Sequence, residues 1–528
     1  MVTVDQRRLV TDLRRGMSRR EMIARLIAAG ASATGAAVLA GGAAGVLAAT
    51  PKKGGRLRFA TDLHGPKDSL DPLRFISSID YTRGRAHYNN LVQLDEWLVP
   101  RPELAEEFSF KKNATEWSFK LRKDVRFHDG SKLTADDVIW SLNRHLGKQS
   151  KSLAYPLVAM VREFRKIDPY TIRAYLETPN SDLINVLGTF HFKILKRGTT
   201  NFRNPPGTGP YRLKEFKPGE RSVHVRNDDY WRAGAHLDEI ELFAITDPVV
   251  RVNALLSRHI HMLGNLDPKA IGHINENPGV GLWSVPSGAY MGIVCMTNTA
   301  PGVSPDFVLA MKYLQHRERI VKSILKSNGT IGNDQPISPA YPDYCASLPQ
   351  RSFDPDKAAY HLKRSGIHRA EVQVAEVAPG ITDVMELLKR EAARIGFELI
   401  LTKVPVAGYW TEVWMKTPMH VVSWNMRPTA NVMMTLAFAP DAPWNDSRWK
   451  NERFAKLLVE SRGYMAPDIR AEMYCEMEKL IRDESGVVIP AHHNYVDAKL
   501  DTVQGISRQP LGQCGGCEWP EFAWLTDA

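Results

Sequence analysis

Strict alternation of apolar and polar positions marks the first elements of the chain. Arg56-Leu57-Arg58-Phe59-Ala60 reads as a first strand. Residues 115–121 put Trp117, Phe119 and Leu121 on one face of another, and Asp129-Gly130 supplies the next turn. Thr134, with Asp137 three residues on, has the form of an N-cap and predicts a helix to about His145. A further alternating strand covers 170–176. Residues 211–217 and 222–226 flank Pro218-Gly219, whose fixed and permissive φ suit a type II turn. The region to about 245 is predicted to be rich in antiparallel strands.

The period then changes. Asp354-Pro355 is an N-cap followed by a first-turn proline, and the helix it opens stops at Gly366. Residues 371–377 form a strand. A helix over 383–395 carries Val384, Leu387, Leu388 and Ile395 at helical spacing, and 397–403 form the next strand. That β-α-β order implies parallel pairing with a right-handed crossover. A long amphipathic helix is predicted over about 467–483.

Composition narrows the class. With 528 residues, 43% hydrophobic and 24% charged, the chain is globular and large enough for two to four domains. The net charge is +10, but residues 1–48 hold seven arginines against three acids. The remaining cations are interspersed with acids, which predicts a solvated basic surface and no nucleic-acid site.

The same N-terminal stretch reads as an export signal. Arg19-Arg20 precede an apolar run at 26–49 containing 11 Ala and 5 Gly. Paired arginines before so mildly hydrophobic a segment predict a twin-arginine leader, cleaved near Ala48 or Ala49. The expected location is periplasmic, with the mature protein soluble.

Catalytic signatures are lacking: the sequence has no P-loop, no HExxH and no GxSxG. His492 and His493 are adjacent in an apolar stretch that reads as a strand, so they point to opposite faces and cannot share a metal. Cys514-Gly-Gly-Cys517 is a CxxC in a loop-like context. A local disulfide is expected in an oxidising compartment, with two free thiols as the alternative. No cofactor, metal or catalytic residue is expected.

Several blocks, in order and spacing, resemble the family 5 extracellular solute-binding proteins, the peptide/nickel-type receptors of ABC importers. They are Leu70-Asp71-Pro72, PELAEE at 102–107, LRKDVRFHDGSKLTADDVIWSL at 121–142, GTGPYRL at 207–213, NDDYW at 227–231 and FDPDKAAYHLKRSGI at 353–367. The resemblance implies an α/β, two-lobed periplasmic-binding-protein fold with a hinge and an extra subdomain in lobe I. Lobe I would comprise 50–92, 206–294 and 491–528, the inserted subdomain 93–205, and lobe II 295–490. It implies a monomer that closes on a small molecule or short peptide and docks on a membrane permease. The alternatives are a periplasmic interaction or chaperone-like protein, or an enzyme on a binding-protein scaffold.

One departure bears on the ligand. Peptide receptors of this family keep a carboxylate a few residues after a tryptophan like Trp424, to hold the peptide ammonium. Here residues 413–440 contain no Asp or Glu, and Arg427 falls about where the acid belongs. An ammonium beside an unpaired guanidinium is disfavoured. The expectation is an anionic or strongly accepting group at Arg427, stacked on Trp424, with Asn425 and Thr429 as polar anchors. Tyr409, Trp410 and Trp444 are further candidates for the cleft wall.

Overall fold

The alternation at 56–61 becomes the strand Arg56–Thr61, which buries Leu57, Phe59 and Ala60. It lies between two parallel neighbours, Glu239–Ala244 and Met262–Leu263. The full seven-stranded sheet runs Val280–Val285, Tyr495–Leu500, Met262–Leu263, Arg56–Thr61, Glu239–Ala244, Arg221–Arg226, Tyr211–Lys217. Its last two strands are the hairpin predicted around Pro218-Gly219, with Gly219 at φ 80°. This computed structural model describes residues 50–527 except 63–67, 112, 113, 148, 153, 407, 465 and 466. The predicted leader, with Arg19, Arg20, Ala48 and Ala49, lies outside the described residues. Residues from Lys53 onward form one compact unit.

A second sheet of six strands runs Gly329–Ile331, Val487–His493, Tyr290–Cys295, Met419–Trp424, Arg369–Val374, Glu398–Lys403. Its far edge is the β-α-β unit read from the sequence. The two outer strands pair in parallel, and the helix Ile381–Arg394 between them buries Val384, Leu387 and Leu388. The helix Pro355–Ser365 is capped by the Asp354 carboxylate, which accepts from the Lys357 amide, and ends at Gly366 with φ 68°. The chain enters this body through residues 286–289 and leaves it through Asn494. The two crossings are tied together: Ser287 Oγ donates to the His493 carbonyl at 2.8 Å and the His493 amide to Ala289 at 2.9 Å.

A third, antiparallel sheet of four strands is drawn from residues 105–176. Trp117, Phe119 and Leu121 share its buried face. The predicted helix forms as Ala135–Asn143, where the Asp137 carboxylate accepts from both the amide and the hydroxyl of Thr134. This body packs on the helices of the second. Their apolar cores are continuous, Arg470 pairs with Asp182 at 3.1 Å, and the Ser181 amide donates to Arg462. Among the described residues no helix is long and apolar enough to cross a membrane.

Candidate functional site

The second sheet sets the site through register. Thr330, His492, Tyr290 and Trp424 face one another across four adjacent strands. Directly paired residues project to the same face, so they form one row. Trp424 ends its strand, and the chain then runs through Asn425, Met426 and Arg427 to Thr429, which caps the helix Ala430–Phe438. Arg427 is therefore carried on a strand-to-helix connection at the sheet end where the two crossings enter.

That connection is pinned at two points. The Met426 sulfur accepts from the Gly288 amide at 3.0 Å, and the Arg427 amide donates to the Tyr341 hydroxyl at 2.8 Å. Gly288 is needed for this approach. A Cβ there would lie 2.2 Å from Tyr341 Cε2 and 3.0 Å from Met426 Cγ. Gly288→Ala is expected to cost about 1–3 kcal/mol of stability, the range for overpacking. Both side chains it displaces pin the connection that carries Arg427, so a ligand held there should bind more weakly. Paired denaturation and binding titrations check this.

The guanidinium of Arg427 sits 5.8 Å from the ring centroids of both Trp424 and Trp444. Among the described residues it makes no ion pair, and its Nε is enclosed without a hydrogen-bond partner. Its charge acts on five neutral groups: Tyr81, His191, Tyr290, Tyr341 and Tyr495. Burial pushes all four phenols above their usual range, against the pull of Arg427. Burial and Arg427 together bring His191 down to about 4, so it is neutral at pH 7. Tyr81 lies on the helix Ser78–His87, which packs on the first sheet, Tyr495 is in that sheet, and His191 follows the third, whereas Tyr290, Tyr341 and Arg427 belong to the second body. The site therefore lies where the bodies meet.

Beneath it is one carboxylate. Asp446 Oδ2 accepts the indole N–H groups of Trp414 at 3.2 Å and Trp424 at 3.1 Å. Burial pushes this carboxyl up to about 6, and the two indole bonds partly offset that. Edge contacts continue from Trp414 to Trp424 and on to Trp444.

Trp424, Arg427 and Trp444 are thus brought together, and exposed Asn425 stands beside them, its Oδ1 accepting from Tyr495. The remaining candidates take other places. Trp424 is 4% exposed with Arg427 near its ring, so in this form it is not an open stacking surface. Tyr409 is a core residue whose hydroxyl donates to the Val421 carbonyl. Thr429 Oγ1 is engaged as the helix cap, accepting from the Val432 amide. Trp410 is 43% exposed at the outer end of the aromatic series. Tyr81, His191, Tyr290, Tyr341, Tyr495 and Asp446 escaped sequence reasoning. The first five are single residues far apart in the chain, and Asp446 lies just beyond the acid-free window.

The cysteines need a correction. Cys514 and Cys517 are free and buried, and the bridge joins Cys345 to Cys475. Residues 514–517 all have positive φ, from 47° to 73°, and make a left-handed turn. Glycine is required within it, since a Cβ would meet the Ser507 carbonyl at 2.2 Å from position 515 and Gln509 Oε1 at 1.6 Å from 516. The turn engages Cys514 with Asp497 and Cys517 with the Thr82 and Ser78 hydroxyls, so each thiol has its own surroundings. His492 and His493 are both buried, and among the described residues no group of three or more His, Cys, Asp or Glu is placed to hold a metal.

Known proteins share this arrangement of chain. The dipeptide-binding protein of Escherichia coli K12 is 24% identical over 496 residues, covering 85% of this chain and 92% of its own. The periplasmic binding protein DppA of Helicobacter pylori, solved with the peptide STSA, superposes with a TM-score of 0.79 at 20% identity, over 90% of this chain and 98% of that one. AgaA of A. tumefaciens R10, solved with agropinic acid, gives 0.78 at 21% identity, over 89% and 99%. The fold is the mixed α/β fold of periplasmic binding proteins. Residues 99–446 match the family described as bacterial extracellular solute-binding proteins, family 5. This chain belongs to that family, whose members are binding proteins and not enzymes.

Proposed function

We propose that this chain is the substrate-binding protein of an ABC importer for peptides or related solutes, and that it holds its ligand by an anionic or strongly accepting group at Arg427. The supporting observation is the guanidinium itself: it borders the junction of the bodies, and no acid among the described residues pairs with it. A half-buried guanidinium with no counter-ion is open to a ligand carboxylate or phosphate, which it can hold through two parallel hydrogen bonds. Asn425 offers its amide N–H groups alongside, and Trp444 a half-buried ring. Relatives cover a matching range of solutes, one solved with a peptide and one with agropinic acid.

In this reading lobe I comprises 50–92, 206–294 and 491–528 with the subdomain 93–205 inserted, and lobe II spans 295–490. The lobes close on the ligand as a monomer, because only the closed form contacts it from both sides. The closed form then docks on the membrane permease. Arg427→Ala should weaken cognate binding by about 2–5 kcal/mol, roughly 30-fold or more, in calorimetry. Unchanged affinity would remove Arg427 from the site.

Export follows the twin-arginine route, with cleavage near Ala48 or Ala49. Replacing Arg19 and Arg20 together by Lys should leave the protein in the cytoplasmic fraction. Undiminished export would exclude the route.

A further inference from the structure

The groups around Arg427 share one chemical property: nearly all of them donate. Tyr341 accepts from the Arg427 amide, and its own O–H has no acceptor among the described residues. The hydroxyls of Tyr81 and Tyr290 likewise have no hydrogen-bond partner there. Each of these hydroxyls is therefore free to donate to a ligand. One acceptor stands opposite. His191 Nε2 lies 3.1 Å from the Phe75 carbonyl, which can only accept, so Nε2 carries the proton and Nδ1 presents a lone pair. The ring of Tyr81 stacks on Phe190 at 4.1 Å and gives the site a flat apolar side. Tyr81, His191 and Arg427 are half-buried and so border open space.

This set of groups selects among acids. A primary ammonium needs a carboxylate or several acceptors. Here it would meet one imidazole lone pair, an Asn425 Oδ1 already engaged by Tyr495, and a like charge. A carboxylate takes Arg427, and alcohol groups fit the rest, because each can accept from a phenol and donate to an imidazole nitrogen.

Resting on the anion-binding reading above, we propose that the ligand is a carboxylated polyol, that is, a sugar acid or a sugar conjugate of a carboxylic acid, with no free primary ammonium. Its carboxylate lies on Arg427, its hydroxyls on Tyr81, Tyr290, Tyr341 and His191, and its C–H face on the Tyr81–Phe190 pair. A zwitterionic peptide is excluded from the same position.

The test is calorimetry at pH 7 with gluconate, glucuronate and galactarate, against sorbitol, hexanoate and the dipeptide Ala-Ala. The expected result is binding of at least one sugar acid, with sorbitol, hexanoate and Ala-Ala at least tenfold weaker. Arg427→Gln should reduce sugar-acid affinity about 30-fold or more. Tyr81→Phe and Tyr290→Phe, which keep the rings, should each reduce it about 2- to 10-fold. Mass spectrometry of solute released from the purified protein by denaturation gives a second reading, and an ammonium-free carboxylated polyol there supports the proposal. Ala-Ala binding as tightly as the best sugar acid, or a released peptide, overturns the ligand class but leaves the receptor standing. Failure of all three sugar acids to bind below millimolar concentration also overturns it. Sugar-acid binding that persists in Arg427→Gln overturns both the class and the anion site.

Discussion

Replacing Arg85 by Met is expected to cost about 3–5 kcal/mol of folding stability at pH 7. Arg85 is buried and pairs with three carboxylates: Glu103 at 2.6 Å, Glu518 at 2.8 Å and Glu521 at 2.5 Å. Among the described residues Arg232 and Lys193 would remain to offset them, and burial has already brought Lys193 down to about 8. Burial alone would raise the Glu103 carboxyl, yet Arg85, Arg232 and Lys193 hold it below its usual range. A carboxyl with a depressed folded pKa stabilises above its unfolded pKa, here 4.5, and that contribution is lost as pH falls through the folded value. In the variant Glu103 is no longer held down by Arg85, and its protonation relieves the cost. The gap to wild type should therefore be widest at neutral pH and narrow toward about pH 4. Urea unfolding at both pH values reads this. A gap independent of pH would mean that the arginine stem matters only as packing.

Asp334→Asn should have a comparable effect, about 3–5 kcal/mol, in the second body. Asp334 accepts from Arg317 at 2.8 Å, from Arg351 at 2.5 Å and from the Ile489 amide at 3.0 Å. Buried Lys312 adds a third cation nearby. Asn is the informative choice because Asp334 has φ 60°, a left-handed conformation that Asn tolerates. The substitution therefore removes charge while keeping shape and backbone. Burial would raise this carboxyl, but Arg317, Arg351 and Lys312 bring it below its usual 3.8. Its contribution is present above that value and disappears as pH falls through the folded pKa. Wild type should therefore lose stability in acid where the variant, with no titrating group at 334, does not lose this part. Equal stability of the two at pH 7 would contradict the account.

Local rules carried most of the fold because these elements follow them. Thr134 and Asp354 cap where capping chemistry places them, Gly366 stops its helix with positive φ, and the apolar face of 381–394 turns inward. The site was less legible. The acid-free window and Arg427 stood out as candidates because they lie in one short stretch. The four tyrosines and His191 did not, since three sheets and two crossings bring them together from positions 81 to 495. The thiols failed for the opposite reason. A short CxxC suggested a local bridge, but the left-handed turn engages each sulfur separately, and Cys345 meets Cys475 across 130 residues with no local pattern to announce it.

The return strand Tyr495–Leu500 has a consequence for how the protein is made. It is not an edge strand: it lies between Val280–Val285 and Met262–Leu263 and pairs with both. Every strand of the six-stranded sheet lies within residues 290–493, so that body has its full set before the first sheet does. On the ribosome, the earlier sheet waits with an open slot until residue 500 has been synthesised. The acids at 518 and 521 that meet Arg85 emerge later still. Residues 495–521 thus complete a body begun at residue 56, and a chain released before them would carry a finished second body on an unfinished first one.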